Sequence, residues 1–201
     1  MIRIIAFLGN YGSEYADTRH NAGFFCAAHL ELTKNLLWKN KFDGAYAKID
    51  RPHSDEVLHF LKPLTYMNNS GIAVSKLMQF FKIKPAELLV VHDELELAPA
   101  TISLKWSGGL GGHNGLRSIK AQLGTADFWR LRIGIGRPAH TNADIADYVL
   151  SRFSPPELEN LQIQLAPLNT LFDELVRRHN DEELKSLIPT WAKRPCMPTE
   201  R

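Results

Sequence analysis

Cysteine is nearly absent: the 201 residues hold Cys26 in an apolar, helix-like segment and Cys196 near the polar end of the chain, and no others. Two thiols so far apart supply neither a disulfide framework nor a zinc-ligand spacing, so each is read as a free thiol. Long apolar runs are missing as well, and nothing approaches the roughly 18 to 20 uninterrupted apolar residues of a membrane-spanning helix. The opening run to Leu8 is too short for the apolar core of a secretory leader, and no small-residue cleavage site precedes Asn10. The chain is therefore expected in the cytoplasm. Charge of one sign is scarce: 24 Lys plus Arg stand against 22 Asp plus Glu, a formal +2. With 44% hydrophobic and 23% charged residues, disorder and collagen-like or low-complexity architectures are excluded. The length fits one domain with a core of its own.

That small total charge is unevenly spread. From Thr101 to Arg137 the only acid is Asp127, against Lys105, Arg117, Lys120, Arg130, Arg132 and Arg137, so this stretch is strongly basic and the remainder slightly acidic. A basic segment on an acidic body suits a phosphate-binding face, because each neutralised phosphate releases counterions. A solvated face whose counter-charges come from elsewhere in the fold would look the same.

Residues 2–8 read as a buried strand ended by Gly9-Asn10. Phe24, Phe25, Ala28 and Leu32 predict a helix from about His20 to Leu36. Short strands over 44–50 and 57–62 are joined by the turn-rich Arg51-Pro52-His53-Ser54-Asp55. A helix over 69–82 stops at Lys84-Pro85. Leu88-Leu89-Val90-Val91 reads as a fully buried strand with His92-Asp93-Glu94 at its end, and strands are also expected over 101–106 and 130–135. Between them, the glycine-rich segment 107–115 leads into a helix that Asn114 can cap and Gly124 can close. Pro155-Pro156 opens a long helix carrying an apolar stripe from Leu158 to Leu175.

Strands interleaved with helices predict a single α/β domain over residues 1–190, with helices on both faces of one twisted sheet. The helix-free stretch 43–62 makes that sheet mixed, mostly parallel. Residues 191–201, with Lys193, Arg194 and Arg201 against Glu200, read as a loose basic C-terminal tail.

Polar side chains gather at strand ends, where open α/β sheets bind their ligands. His20 is placed to act as a general base, since imidazole is largely neutral yet basic near neutral pH. An aspartate on its second ring nitrogen would fix the tautomer, and Asp93 is the best placed candidate; its alternative is a loop acid capping a neighbouring segment. Asn10, Asn68 and Asn114 could grip a peptide-like carbonyl without competing for protons, or serve simply as turn formers and caps. The glycine-rich loop lacks the P-loop lysine and ends in Asn114 where a dinucleotide fingerprint has glycine, so no nucleotide cofactor is expected. A metal site from His20, His92, Asp93 and His113 has no HExxH spacing behind it. Ser70 and Ser107 fit no nucleophile elbow, which leaves direct attack by water.

Five blocks, in order, resemble bacterial-type peptidyl-tRNA hydrolase: residues 9–23 (Gly9-Asn10-Tyr11-Gly12 through Arg19-His20-Asn21-Ala22-Gly23), Lys62-Pro63-Leu64-Thr65-Tyr66-Met67-Asn68-Asn69-Ser70-Gly71, Val91-His92-Asp93-Glu94-Leu95, Gly111-Gly112-His113-Asn114-Gly115-Leu116, and Arg130-Leu131-Arg132-Ile133-Gly134-Ile135-Gly136. The resemblance covers about residues 1–150. One departure is Tyr11, where the family usually carries proline; it bears on the loop path after Asn10 and not on the chemistry. The resemblance implies hydrolysis of the ester joining a peptide to tRNA after abandoned translation, by a monomer without metal or other cofactor. His20 would activate water, Asp93 would orient it, and Asn10 would contact the peptide. Asn68 and Asn114 would hold the substrate, Tyr15 and Tyr66 would line the cleft, and Lys105 and Arg132, with Arg117, Lys120 and Arg130, would contact tRNA phosphates. A non-catalytic RNA-binding protein and a small-molecule esterase are the rival readings.

Overall fold

The computed structural model describes residues 1–51, 55–140, 142–177 and 180–195. Seven strands form one sheet: β1 (Ile4–Phe7), β2 (Lys39–Lys41), β3 (Gly44–Asp50), β4 (Val57–Pro63), β5 (Leu88–Glu94), β6 (Ile102–Trp106) and β7 (Trp129–Gly134), in the order β2-β3-β4-β1-β5-β7-β6. The central four run parallel, and β3 and β6 pair antiparallel to their neighbours. This is the mixed, mostly parallel sheet the strand pattern predicts.

Alternation along β1 explains the two cores. Ile5 and Phe7 face one apolar cluster, whereas Ile4, Ala6 and Leu8 face the other. The first is covered by α1 (Ala22–His29), α2 (Glu31–Lys34) and the C-terminal helices α5 (Ile145–Leu150), α6 (Pro155–Ile163), α7 (Leu165–Arg177), α8 (Asp181–Lys185) and α9 (Ile188–Trp191); the second is covered by α3 (Ser70–Phe81) and α4 (Asn114–Leu123). Central strands buried on both faces must read as unbroken apolar runs, as Leu88–Val91 does.

Three boundaries depart from expectation. The helix predicted over 20–36 starts only at Ala22, because His20 sits in the 3-10 turn Arg19–Asn21, and it breaks at Leu30, which is extended and buried. The long C-terminal helix breaks at Gln164: Pro167 has no N–H for the Ile163 carbonyl, and its ring would crowd that oxygen in a continuous helix. The division at residue 190 falls inside packed chain. Trp191 is only 2% exposed, and Arg194 forms a backbone bridge with Ile102, so the body runs on to at least Arg194. Cys196 and the remainder of the expected tail lie outside the described residues, as does most of the turn 51–55. Cys26 is a buried free thiol, pushed up to about 12 by burial.

Candidate active site

The site forms where β1 and β5 end. Helix α1 can sit hard against these strands because Gly23 has no side chain; a Cβ there would lie 2.5 Å from the Leu8 carbonyl and 2.7 Å from that of Val91. That close approach sets the turn Arg19–Asn21 directly over the end of β5. His20 Nδ1 then lies 2.9 Å from Asp93 Oδ1 and 3.0 Å from Oδ2, although 73 residues separate them. The carboxylate only accepts, so Nδ1 carries the proton and the Nε2 lone pair is left for the cavity.

The turn is also held from the far end of the chain. Arg19 forms a forked pair with Glu157, with its Nη2 2.7 Å from Oε2 and 2.9 Å from Oε1, and its guanidinium lies over the Tyr148 ring. The Phe153 amide donates to the Asp17 carbonyl, and Thr18 pairs with Arg152. The C-terminal third thus braces His20.

A third side chain completes the cluster, and it is not among the residues the sequence reading assigned to the site. His113, rather than Asn114, is the N-cap of α4: its Nδ1 accepts from the amides of Gly115 at 3.1 Å and Leu116 at 3.3 Å. An Nδ1 that accepts carries no proton, so Nε2 does, and it donates to Asp93 Oδ1 at 3.0 Å. The cap therefore fixes a tautomer inside the site. Burial alone would raise the Asp93 carboxyl, but the His113 and His20 imidazoles hold it well below the usual carboxylate range. His92 lies behind them. Its Nδ1 donates 2.6 Å to the Asp93 carbonyl, its ring meets His113 edge-on, and burial keeps it neutral.

Of the four groups weighed for a metal, His20, Asp93 and His113 bring candidate ligand atoms within 4.8 Å of one another. They do not present three lone pairs to one point, because the nearer nitrogen of each imidazole is spent donating to the carboxylate. The donor set is that of a hydrogen-bonded base.

His20, Asp93 and Asn114 line one cavity of about 170 Å³, together with His113, the loop 110–112 and Ile145, Ala146 and Val149 of α5. Asn114 is exposed in the first turn of α4, its Oδ1 3.4 Å from Arg117. Asn10 lines a separate hollow with Tyr11 and Asn21. It is held on both sides: its amide donates to Asn21 Oδ1 at 2.7 Å and its own Oδ1 accepts the Met67 amide at 2.8 Å, leaving its Nδ2 as the group free to donate. Asn21 was not foreseen as the residue that fixes it. Tyr11, in the place of the usual proline, is 61% exposed, and Tyr66 is 64% exposed; both line a third hollow beside Thr65 and Asn69. Asn68 is exposed in the turn Met67–Asn69. Tyr15 is half-buried, and its carbonyl accepts from Thr18. Neither Asn68 nor Tyr15 lines the His20 cavity.

The basic segment divides. Arg130, 1% exposed, donates to the carbonyls of Ser107 and of Gly109 (2.7 Å), so it is a structural tie and not the phosphate contact expected of it. Arg137 is paired with Glu96. Arg132 binds Ser103 Oγ at 2.7 Å and stands 3.7 Å from Glu94. Lys105 pairs across the strands with Arg130, and burial together with the Arg130 and Arg132 guanidiniums pushes its ammonium down. Arg117 and Lys120 are exposed on α4. The cations open to a ligand are therefore Lys105, Arg117 and Lys120, with Arg132 partly engaged.

Comparison with known proteins identifies the family. The family model described as peptidyl-tRNA hydrolase matches residues 4–193. A peptidyl-tRNA hydrolase of Treponema pallidum is 54% identical over 158 residues, 78% of each chain, and one of Delftia acidovorans is 43% identical over 197 residues, 97% of this chain and 94% of the relative. The crystal structure of the Acinetobacter baumannii peptidyl-tRNA hydrolase superimposes with a TM-score of 0.76 at 35% identity, covering 93% of this chain and 94% of that one. On a match that spans nearly its whole length, this chain belongs to the peptidyl-tRNA hydrolase family of enzymes.

Proposed function

We propose that this enzyme hydrolyses the ester between a peptide and tRNA, releasing tRNA from abandoned translation, with His20 as the base. The observation that carries the reading is the contact of His20 Nδ1 with the buried, ionised Asp93, which leaves Nε2 facing the cavity. Water gives a proton to Nε2 as its oxygen adds to the ester carbonyl. The resulting tetrahedral oxyanion collapses, the C–O bond to the ribose breaks, and the imidazolium returns its proton to the departing ribose oxygen. Asp93 stabilises the imidazolium throughout.

Asn10, through its free Nδ2, contacts the peptide, Asn114 holds the substrate and the reacting water, and Asn68, outside the His20 cavity, holds the substrate farther along. Tyr66 and Tyr15 flank the acceptor end, and Lys105, Arg117, Lys120 and Arg132 meet tRNA phosphates. The protein acts as a cytoplasmic monomer without metal; no described helix is long and apolar enough to cross a membrane. The test is release of peptide from N-blocked aminoacyl-tRNA in the presence of a chelator. Absence of release alongside intact tRNA binding would establish a binding protein instead, and indifference to competing uncharged tRNA would establish a small-molecule esterase.

A further inference from the structure

A second concentration of positive charge lies at the opposite end of the sheet, and strand register decides which face carries it. The cross-strand pairs Lys39↔Tyr46, Lys48↔His59 and Tyr46↔Leu61 set Lys39, Lys41, Tyr46, Lys48 and His59 on one face, because side chains alternate along each strand. It is the inner face: Tyr46 and Leu61 pack in the same cluster as Val74 and Leu77 of α3. Helix α3 ends at Phe81 and leaves the lysines uncovered, and Gly44, opposite Lys41, adds no side chain.

The result is an open groove of about 660 Å³, based on Tyr46 and His59, with Phe80 and Phe81 against it and Arg3, Lys39, Lys41 and Lys48 around it; Asp55 and Glu56 also line it. His20 is remote. Arg3 and His59 stand at the amino ends of the parallel strands β1 and β4, whereas the catalytic cavity lies past the carboxyl ends of β1 and β5. Lysines on an edge strand deter strand pairing, but that role needs no aromatic platform. Phe80 nevertheless keeps 62% of its surface exposed, with the Lys41 ammonium 4.6 Å from its ring centre. Arg3 is 3.8 Å from Glu87, while Lys39 and Lys48 form no ion pair among the described residues. His59 accepts or donates at 2.9 Å with the Tyr46 hydroxyl; burial and the nearby Arg3 and Lys48 push it down to about 4, so it adds no charge near neutral pH.

We propose that this groove binds a single-stranded RNA segment, with a base stacked on Phe80 and consecutive phosphates against Lys41 and Lys48. An exposed ring among cations is the arrangement by which single strands are held without sequence preference, the ring taking any base and the cations the backbone. The test is fluorescence polarisation of labelled hexa-adenylate on the full-length protein. Wild type should bind saturably. Phe80→Ala should weaken binding about 5- to 10-fold, and Lys41→Ala with Lys48→Ala should make the slope of log K against log salt shallower by about 1.4. All three positions are exposed or half-buried, and peptide release from saturating peptidyl-tRNA should be unchanged in these variants. The proposal is overturned if wild type shows no saturable binding, or if both variants bind as wild type does. It is equally overturned if Lys105→Ala abolishes binding, which would place the probe at the catalytic end, or if AMP or polyglutamate displaces the probe as well as unlabelled hexa-adenylate does.

Discussion

The imidazoles around Asp93 and the Arg130 guanidinium beneath Ser107 to Gly109 are charged or chargeable groups buried along neighbouring strands of one sheet, yet they are used in opposite ways. At Asp93 the bond from His20 leaves one atom free for chemistry: His20 donates from Nδ1 and keeps Nε2, whereas His113 spends both nitrogens, one on the α4 cap and one on the carboxylate. At the glycine-rich loop, Arg130 spends two of its nitrogens on backbone carbonyls and is itself buried, so its charge holds the loop. Burial therefore does not separate functional from structural polar groups. What separates them is whether any donor or lone pair remains unspent and accessible.

The comparison can be broken most sharply at the catalytic end. His20→Ala should lower turnover by about 10² to 10⁴ with tRNA binding largely intact. Asp93→Asn should fall in the same range, because an amide in that position no longer selects the tautomer that leaves Nε2 bare. Single-turnover hydrolysis within a few-fold of wild type in either variant would break the assignment. Asp93 also predicts an acid response: its folded pKa lies below the ordinary 3.8, so its stabilising contribution is complete above that value and is lost as pH falls below it. Unfolding of Asp93→Asn should lack that part of the acid slope. Next in size is Arg130→Met, which strands two loop carbonyls and should cost about 2 to 3 kcal/mol of stability. Arg117→Ala, on the exposed face of α4, should stay within about 0.5 kcal/mol of wild type in the same denaturation experiment.

His113 tests whether a cap and a donor can be separated. His113→Asn can still cap α4 but cannot reach Asp93 as an imidazole does, so kcat should fall about tenfold and stability by about 1.5 to 3 kcal/mol, the loss of one hydrogen bond to a buried charged group. His113→Ala should show the same fall in kcat and lose about 1 kcal/mol more of stability. Equal kcat in wild type and both variants would show that His20 alone orients Asp93.

The fold was legible wherever burial imposes a pattern. The apolar run Leu88–Val91 can only be a strand buried on both faces, and the polar His92-Asp93-Glu94 that follows marks the end where ligands collect. His20 and Asp93 are joined by that topology, not by any local spacing. Other features needed information that a single segment does not hold. His113 is not among the side chains that usually cap helices, so Asn114, which is, drew the assignment. The alternation Trp129-Arg130-Leu131-Arg132 gives a period but not which face is solvent, so an arginine buried under the loop reads like an exposed one. The break at Gln164 did carry a signal in Pro167, which the regular leucine stripe hides. The brace from Arg19 to Glu157 spans most of the chain, and nothing near His20 in sequence points to it.

The finest test lies within the basic segment, where the comparison predicts that only cations with unspent donors respond to substrate. Lys105→Ala should raise KM a few-fold, leave kcat unchanged, and make the salt dependence of tRNA binding shallower by about one ionic contact. Lys120→Ala, exposed on α4, should do the same more weakly. Arg137→Ala should change neither quantity, because its guanidinium is already paired with Glu96 and its loss removes a partner of Glu96 and not of the tRNA. Log KM measured against log salt for the three variants decides the matter: an Arg137→Ala slope as shallow as that of Lys105→Ala would mean that the whole basic stretch acts as a diffuse field, and that ties within the protein do not determine which cations meet phosphate.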